Sequence, residues 1–347
     1  MSFQTPGLTK FTGLASSPAA VYWGGSLWVF YTTTANSTSI WYAESIDGGN
    51  KWNAAQQVPA EGLSIAPGTS PCPVVFDGKL YLFFNGSGND GTFVTIFYDP
   101  EWSLVSAVAT LTGVPMGFLP GTSPAAAVYR GEVHLFWNGA GDNGVFCLTT
   151  NGSTWGAPFS CADRVPGLSI APGTSPCAVG AGDALYLFWN GRGGTGTWYA
   201  THTYAAGDGL ARVDEAWSVP ASVKAQVAGM DFFAGTSPAA QPLDAKDAAT
   251  LRLFWVGPGG PSEGVAHSVM GAGGTWSAKK LVAAEVGGQA LAAGTSPCAI
   301  NFTAGLFLFW SGADQVLRFA ELPNGSWADT IKAFPRRNFV RKPANRA

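Results

Sequence analysis

Two tryptophan–asparagine pairs, Trp137-Asn138 and Trp189-Asn190, stand 52 residues apart, each closing an apolar run. An indole can lie flat on the apolar face of a sugar ring, while a neighbouring amide donates to and accepts from its hydroxyls. Arg192, Trp198, Trp255 and Trp310 extend this set, so these eight residues are the candidate ligand-binding groups, and neutral glycans are the ligands they suit. The competing role for the same aromatics is packing between neighbouring structural units.

Catalysis asks for other residues. A glycosidase sets two carboxylates at a fixed separation about one bond, but Asp77, Asp99, Asp163 and Asp183 stand in turns that account for them. Asp231 and Glu132 are acids in less ordinary places, and His134, His202 and His267 are scattered, without a metal-ligand or nucleophile–base spacing. The sequence therefore assigns no catalytic residue, no metal and no cofactor. The glycine-rich stretches 85–91, 138–144 and 190–196 resemble dinucleotide loops, but each joins two strands and opens no helix. Asp90, Asp142 and Asn143 lack the alternating carboxylates of a calcium loop, so hairpin turns are the expected role.

The elements that must hold these groups are set by a repeat. Serine precedes proline at Pro18, Pro71, Pro124, Pro176, Pro238 and Pro297, at spacings of 53, 53, 52, 62 and 59 residues. The last five copies read Gly-Thr-Ser-Pro, from Gly68, Gly121, Gly173, Gly235 and Gly294. An aromatic follows 13 positions after the proline in five units (Tyr31, Phe84, Trp137, Trp189, Trp310), and Trp255 follows 17 after Pro238. In the second unit, residues 70–76 read as a strand, Asp77-Gly78 as a two-residue turn, 79–85 as a doubly buried strand, 92–98 as a third and 102–109 as a fourth. A tryptophan opens each fourth strand: Trp52, Trp102, Trp155, Trp217, Trp276 and Trp327. Four antiparallel strands in such a period make a propeller blade. The expected fold is all-β: one six-bladed propeller over residues 1–335, its blades starting near 14, 67, 120, 172, 234 and 293, then a basic tail at 336–347. Insertions near 203–215 and 243–250 map to loops. The repeated phrase has two readings: backbone satisfaction at each strand entry, or a ring of hydroxyls about one channel mouth.

Of the 347 residues, 46% are apolar and 12% charged, enough for a large core. Five of the 19 basic residues crowd the last twelve positions, which leaves 14 against 22 acids, a body charge of −8. Such a body lacks the phosphate-neutralising surface of a nucleic-acid binder. No run approaches the ~20 apolar residues of a membrane span. The opening Met1-Ser2-Phe3-Gln4-Thr5 has no signal-peptide pattern, so the chain is expected in the cytoplasm as synthesised, with non-classical release as the route out. Homo-oligomer formation stays open. Cys72, Cys177 and Cys298 share one repeat position with Ala19, Ala125 and Ala239, as small buried side chains would. Pairing of Cys147 with Cys161 is not favoured by their asymmetric placement.

Ser45-Ile-Asp47-Gly-Gly49-Asn-Lys-Trp52 resembles the Asp-box hairpin of sialidase-type propellers, with degenerate versions at 150–155, 273–276 and 324–327. Over residues 14–334 the chain also resembles six-bladed fucose-binding lectins in repeat length and aromatic second strands. The resemblance implies a carbohydrate-binding lectin with several repeated shallow sites; a sialidase-like glycoside hydrolase with one axial site, or a protein-interaction scaffold, are the alternatives. The sialidase family clasps its substrate with an arginine triad that begins in the first blade, whereas no arginine precedes Arg130 here. Nor does an arginine recur at one repeat position, as it does in the fucose lectins.

Overall fold

A computed structural model describes residues 16–333 apart from 34–35, 50, 143, 205–214, 244–249, 272, 287–289, 303–304 and 324–331. They form six antiparallel sheets, one for each copy of the repeated phrase, with strands paired in chain order. The inner strands are Ala19–Trp23, Cys72–Phe76, Ala125–Tyr129, Cys177–Ala181, Ala239–Pro242 and Cys298–Phe302. The second strands are Ser26–Tyr31, Lys79–Asn85, Glu132–Asn138, Ala184–Asn190, Leu251–Val256 and Gly305–Ser311. The third are Trp41–Ser45, Thr92–Tyr98, Val145–Thr150, Thr197–Tyr204, Val265–Met270 and Leu317–Pro323. Outer strands are two or three residues long, and in blades 2 and 4 the outer edge is split into two such pieces. The chain is a six-bladed β-propeller, as the repeat predicts.

Local chemistry sets these hairpins. Asp77 and Gly78 both have positive φ, as do Arg130 and Gly131, the pairing that matches the right-handed twist of the flanking strands. Each second strand is central in its sheet and covered on both faces, which is why it reads as a continuous apolar run. Its alternate residues serve different interfaces. In blade 2, Leu80, Leu82 and Phe84 pack with blade 1, while Tyr81 and Phe83 pack with blade 3. In blade 4, Leu185, Leu187 and Trp189 meet blade 3, and Tyr186 and Phe188 meet blade 5. The core is thus six interblade layers, not one central mass.

The Gly-Thr-Ser-Pro phrase ties these layers together. Each threonine hydroxyl donates to a carbonyl three residues back, at Ala66, Leu119, Ala171, Phe233 and Ala292, over 2.6–2.8 Å. Each serine reaches across to the next blade. The N–H groups of Ser70, Ser123, Ser175, Ser237 and Ser296 donate to Oγ of Ser123, Ser175, Ser237, Ser296 and Ser17, all at 2.8 Å. The last of these links, with Ser311 Oγ donating to the Ser16 carbonyl and the Ala20 N–H to Cys298 Sγ, joins blade 6 to blade 1. All five cysteines are free, and Cys147 and Cys161 are both buried. Helix is confined to single turns, chiefly Val108–Thr112 and Val282–Val286; among the described residues no helix is long and apolar enough to cross a membrane. Trp327 and the 324–327 hairpin lie outside the described residues, as do most of the two inserted loops.

Candidate functional site

The eight residues singled out in the sequence divide sharply. Trp137, Trp189, Trp255 and Trp310 are 0–2% exposed and sit in interblade cores. They occupy the position of the second strand that faces the preceding blade, so the neighbouring sheet covers both ring faces. Asn138 and Asn190 are fully buried as well. Their amide groups donate to the Thr174 and Thr236 carbonyls of the following blade at 3.4 and 2.7 Å, as that of Asn85 does to Thr122 at 3.3 Å. Asparagine here clamps one blade to the next phrase. This corrects the surface role expected of these six: a ring or amide closed off by a second sheet presents nothing to a solute. Arg192 is exposed on a loop of blade 4, and Trp198, half-buried at the start of the third strand that follows, donates its Nε1–H to Thr195 Oγ1 at 3.0 Å.

An open cleft lies elsewhere, and the strand register explains where. The second-strand phenylalanine is the same in every blade: Phe30, Phe83, Phe136, Phe188, Phe254 and Phe309. Its third-strand partners are Tyr42, Val94, Cys147, Tyr199, His267 and Phe319. Where the partner is a ring, it fills the cleft toward the next blade: Tyr199 meets Trp276 at 5.9 Å and Phe319 meets Trp52 at 5.8 Å. Beside Cys147, Trp217 of the next blade meets Phe136 at 6.3 Å and stacks on His202 at 5.0 Å. Val94 leaves room. Between blades 2 and 3 a pocket of about 600 Å3 opens, walled by Tyr81, Val94, Ile96 and Leu111 of blade 2 on one side and by the 152–155 hairpin of blade 3 on the other.

The polar groups of this pocket are unspent. Tyr81 Oη, Ser106 Oγ, Ser153 Oγ and Trp155 Nε1 have no hydrogen-bond partner among the described residues; Tyr81 lines the pocket although its side chain as a whole is 1% exposed. Hairpin chemistry presents them. Asn151 Oδ1 accepts from the N–H groups of Ser153 and Thr154 at 3.0 and 2.8 Å, and Thr150 Oγ1 donates to the Thr154 carbonyl at 2.7 Å. Gly152 has φ +85, and a Cβ there would stand 3.2 Å from the Tyr81 hydroxyl, so glycine lets the turn lie against the phenol. Burial raises the Tyr81 phenol above its usual pKa, with Tyr98 and Asp77 adding to the shift, so it acts as a neutral donor and acceptor. The lining carries no carboxylate or amine. Half-buried indole, apolar wall and free hydroxyls together form a surface that can hold a ring with one greasy face and several neutral hydroxyls.

A second cavity, about 210 Å3, lies on the propeller axis among the six Ser-Pro steps. Cys72, Cys177 and Cys298 line it, their thiols receiving backbone N–H groups of Ala126, Ala240 and Ala20, and burial pushes the pKa of the first two up to about 12 and the third to about 11. Among the described residues no cluster of His, Cys, Asp and Glu could hold a metal.

No protein-family model and no curated protein matches the sequence. Solved structures do. Aleuria aurantia lectin, described as a fungal six-bladed β-propeller with a novel mode of fucose recognition, aligns with a TM-score of 0.65 at 17% identity, covering 94% of this chain and 97% of the lectin. AofleA from Arthrobotrys oligospora aligns with a TM-score of 0.65 at 15% identity, over 93% of this chain and 87% of that one. A Hadza microbial sialidase aligns at 0.57 and 14% identity, over 88% and 65%. At these identities the likeness to each is one of fold.

Proposed function

We propose that this propeller is a lectin that holds a neutral sugar in the cleft between blades 2 and 3 and leaves it chemically unchanged. The observation that carries this reading is the set of unspent groups, Tyr81 Oη, Ser106 Oγ, Ser153 Oγ and Trp155 Nε1, in a pocket whose lining has an apolar wall and no carboxylate or amine. Structural likeness to lectins that bind fucosides supports it. So does the axial cavity, whose lining has no carboxylate and therefore no acid pair for glycoside hydrolysis. Rings at the equivalent of Val94 in blades 1, 4 and 6 make the 2–3 cleft the principal site, with weak single-site affinity expected of a shallow neutral pocket.

The test is a screen of neutral glycans followed by calorimetry on the best binder, with Val94→Tyr and Trp155→Ala beside the wild type. Tyrosine already stands at the Val94 position in blades 1 and 4, so the variant should fold with an unchanged melting temperature. It should lose at least about tenfold in affinity by occupying the pocket, and loss of the indole should cost a similar factor. A Val94→Tyr protein that binds glycan as well as the wild type would remove the sugar from this cleft. No binding to any neutral glycan would end the lectin reading.

A further inference from the structure

The axial ring of serines has a chemical polarity that the blade links leave unsatisfied. Oγ of Ser123, Ser175, Ser237, Ser296 and Ser17 each accepts one N–H at 2.8 Å, which fixes the oxygen in place. A hydroxyl that already accepts is a better donor. Yet none of the six serine O–H groups around the axis finds an acceptor among the described residues, Ser296 included, although that residue is more than nine-tenths buried. The carbonyls of Thr122, Thr174 and Thr236 already accept from asparagine amides, and those of Ala66, Leu119, Ala171, Phe233 and Ala292 from the threonine hydroxyls. Six donors therefore converge on a cavity of about 210 Å3 whose wall has no carboxylate to repel a negative charge.

We infer that the axial cavity is a site for one compact oxyanion of phosphate or sulfate size, held by the serine hydroxyl ring. Geometry favours that size. In a regular hexagon the side equals the radius, and hydroxyls linked through one residue's backbone and one hydrogen bond lie about 5 Å apart, hence about 5 Å from the axis. A tetrahedral oxyanion carries its oxygens about 1.5 Å from its centre, so on the axis they stand about 3.5 Å from the ring, and a shift of under about 1 Å toward one side brings them within hydrogen-bond length of the hydroxyls there. No cation backs the site, so affinity is millimolar and arises from hydroxyl donors alone. The site is independent of the interblade sugar pocket.

Equilibrium dialysis with labelled inorganic phosphate, in a zwitterionic buffer without other added salt, reads the stoichiometry directly. One phosphate per chain at millimolar concentration is expected, with sulfate competing for it. The Ala125→Leu/Ala239→Leu variant keeps every hydroxyl but fills the cavity from two odd-numbered blades; it should bind at least tenfold more weakly while its far-UV circular dichroism stays that of the wild type. Should the double variant misfold, Ala239→Cys, which copies the residue found in alternate blades, narrows the cavity conservatively and should weaken binding by a smaller factor. Absence of saturable phosphate binding by the wild type, or equal binding by wild type and a folded filled variant, overturns the assignment.

Discussion

Acid should weaken the seam between blades 3 and 4 through one side chain. His134 is 3% exposed, its ring centroid 6.1 Å from that of His202 and 5.9 Å from that of Tyr129, and its Nε2 has no partner among the described residues. Burial, then the neighbouring His202, lowers its pKa from 6.5 to about 4. In the unfolded chain the group titrates normally, so the unfolded state takes up the proton first. Stability from this residue is therefore complete above pH 6.5, falls as pH drops toward 4, and is flat below that. A shift of this size corresponds to about 3 kcal/mol across the window. Urea midpoints of the wild type and His134→Phe, measured from pH 7.5 to 4, isolate the effect, because carboxylates titrate in both. Phenylalanine fits the position, since Phe307 stands there in blade 6. The wild type should lose about 3 kcal/mol more than the variant. Parallel losses across the whole range would refute the buried-neutral assignment of His134.

Other consequences follow from particular contacts. Gly180→Ala would bring a Cβ to 2.5 Å from the Val128 carbonyl oxygen of the adjacent inner strand, and backbone cannot swing aside, so a loss of about 1–3 kcal/mol in thermal or urea unfolding is expected. Asn190→Ala strips the Thr236 carbonyl and the Thr197 hydroxyl of their partner and should cost about 2–4 kcal/mol of stability. Glycan affinity of the folded Asn190→Ala fraction should be unchanged; a selective loss of binding would instead make Asn190 a ligand contact. Cys72, Cys177 and Cys298 hold protons well above neutrality, so a disulfide reagent at pH 8 should titrate none of them in the native protein and all five cysteines after unfolding.

The fold was legible because its signals are local and repeated. Ser-Pro steps, Asp77-Gly78 and Arg130-Gly131 turns, and second strands apolar on both faces each state one piece of a blade, and the period states how many blades there are. The hydroxyl ring was legible too, as one of two readings of the repeated phrase, and the structure joins them: the same serines that satisfy backbone amides also face the axis. Burial of the four second-strand tryptophans was less so. A tryptophan ending a strand beside an asparagine has the composition of a sugar platform, and only the approach of the neighbouring sheet decides that it is core.

The pocket between blades 2 and 3 is a missing volume, and a missing volume has no residue of its own. What betrays it is a difference between equivalent positions: Val94 where other blades carry Tyr42, Tyr199, His267 and Phe319. Reading that difference needs the strand register, because a one-residue slip would set Phe93 or Thr95 at the cleft and reverse the inference. Six conserved phenylalanines, Phe30 to Phe309, supply the register within this single sequence, since each fixes the partner that points into the same cleft. A chain of repeats thus carries its own alignment. Its structural positions are those that agree from blade to blade, and its site is best sought where one blade departs from the rest by losing bulk. By that criterion Cys147 is the second such position, and there Trp217 of the next blade, stacked on His202, packs on Phe136 beside it.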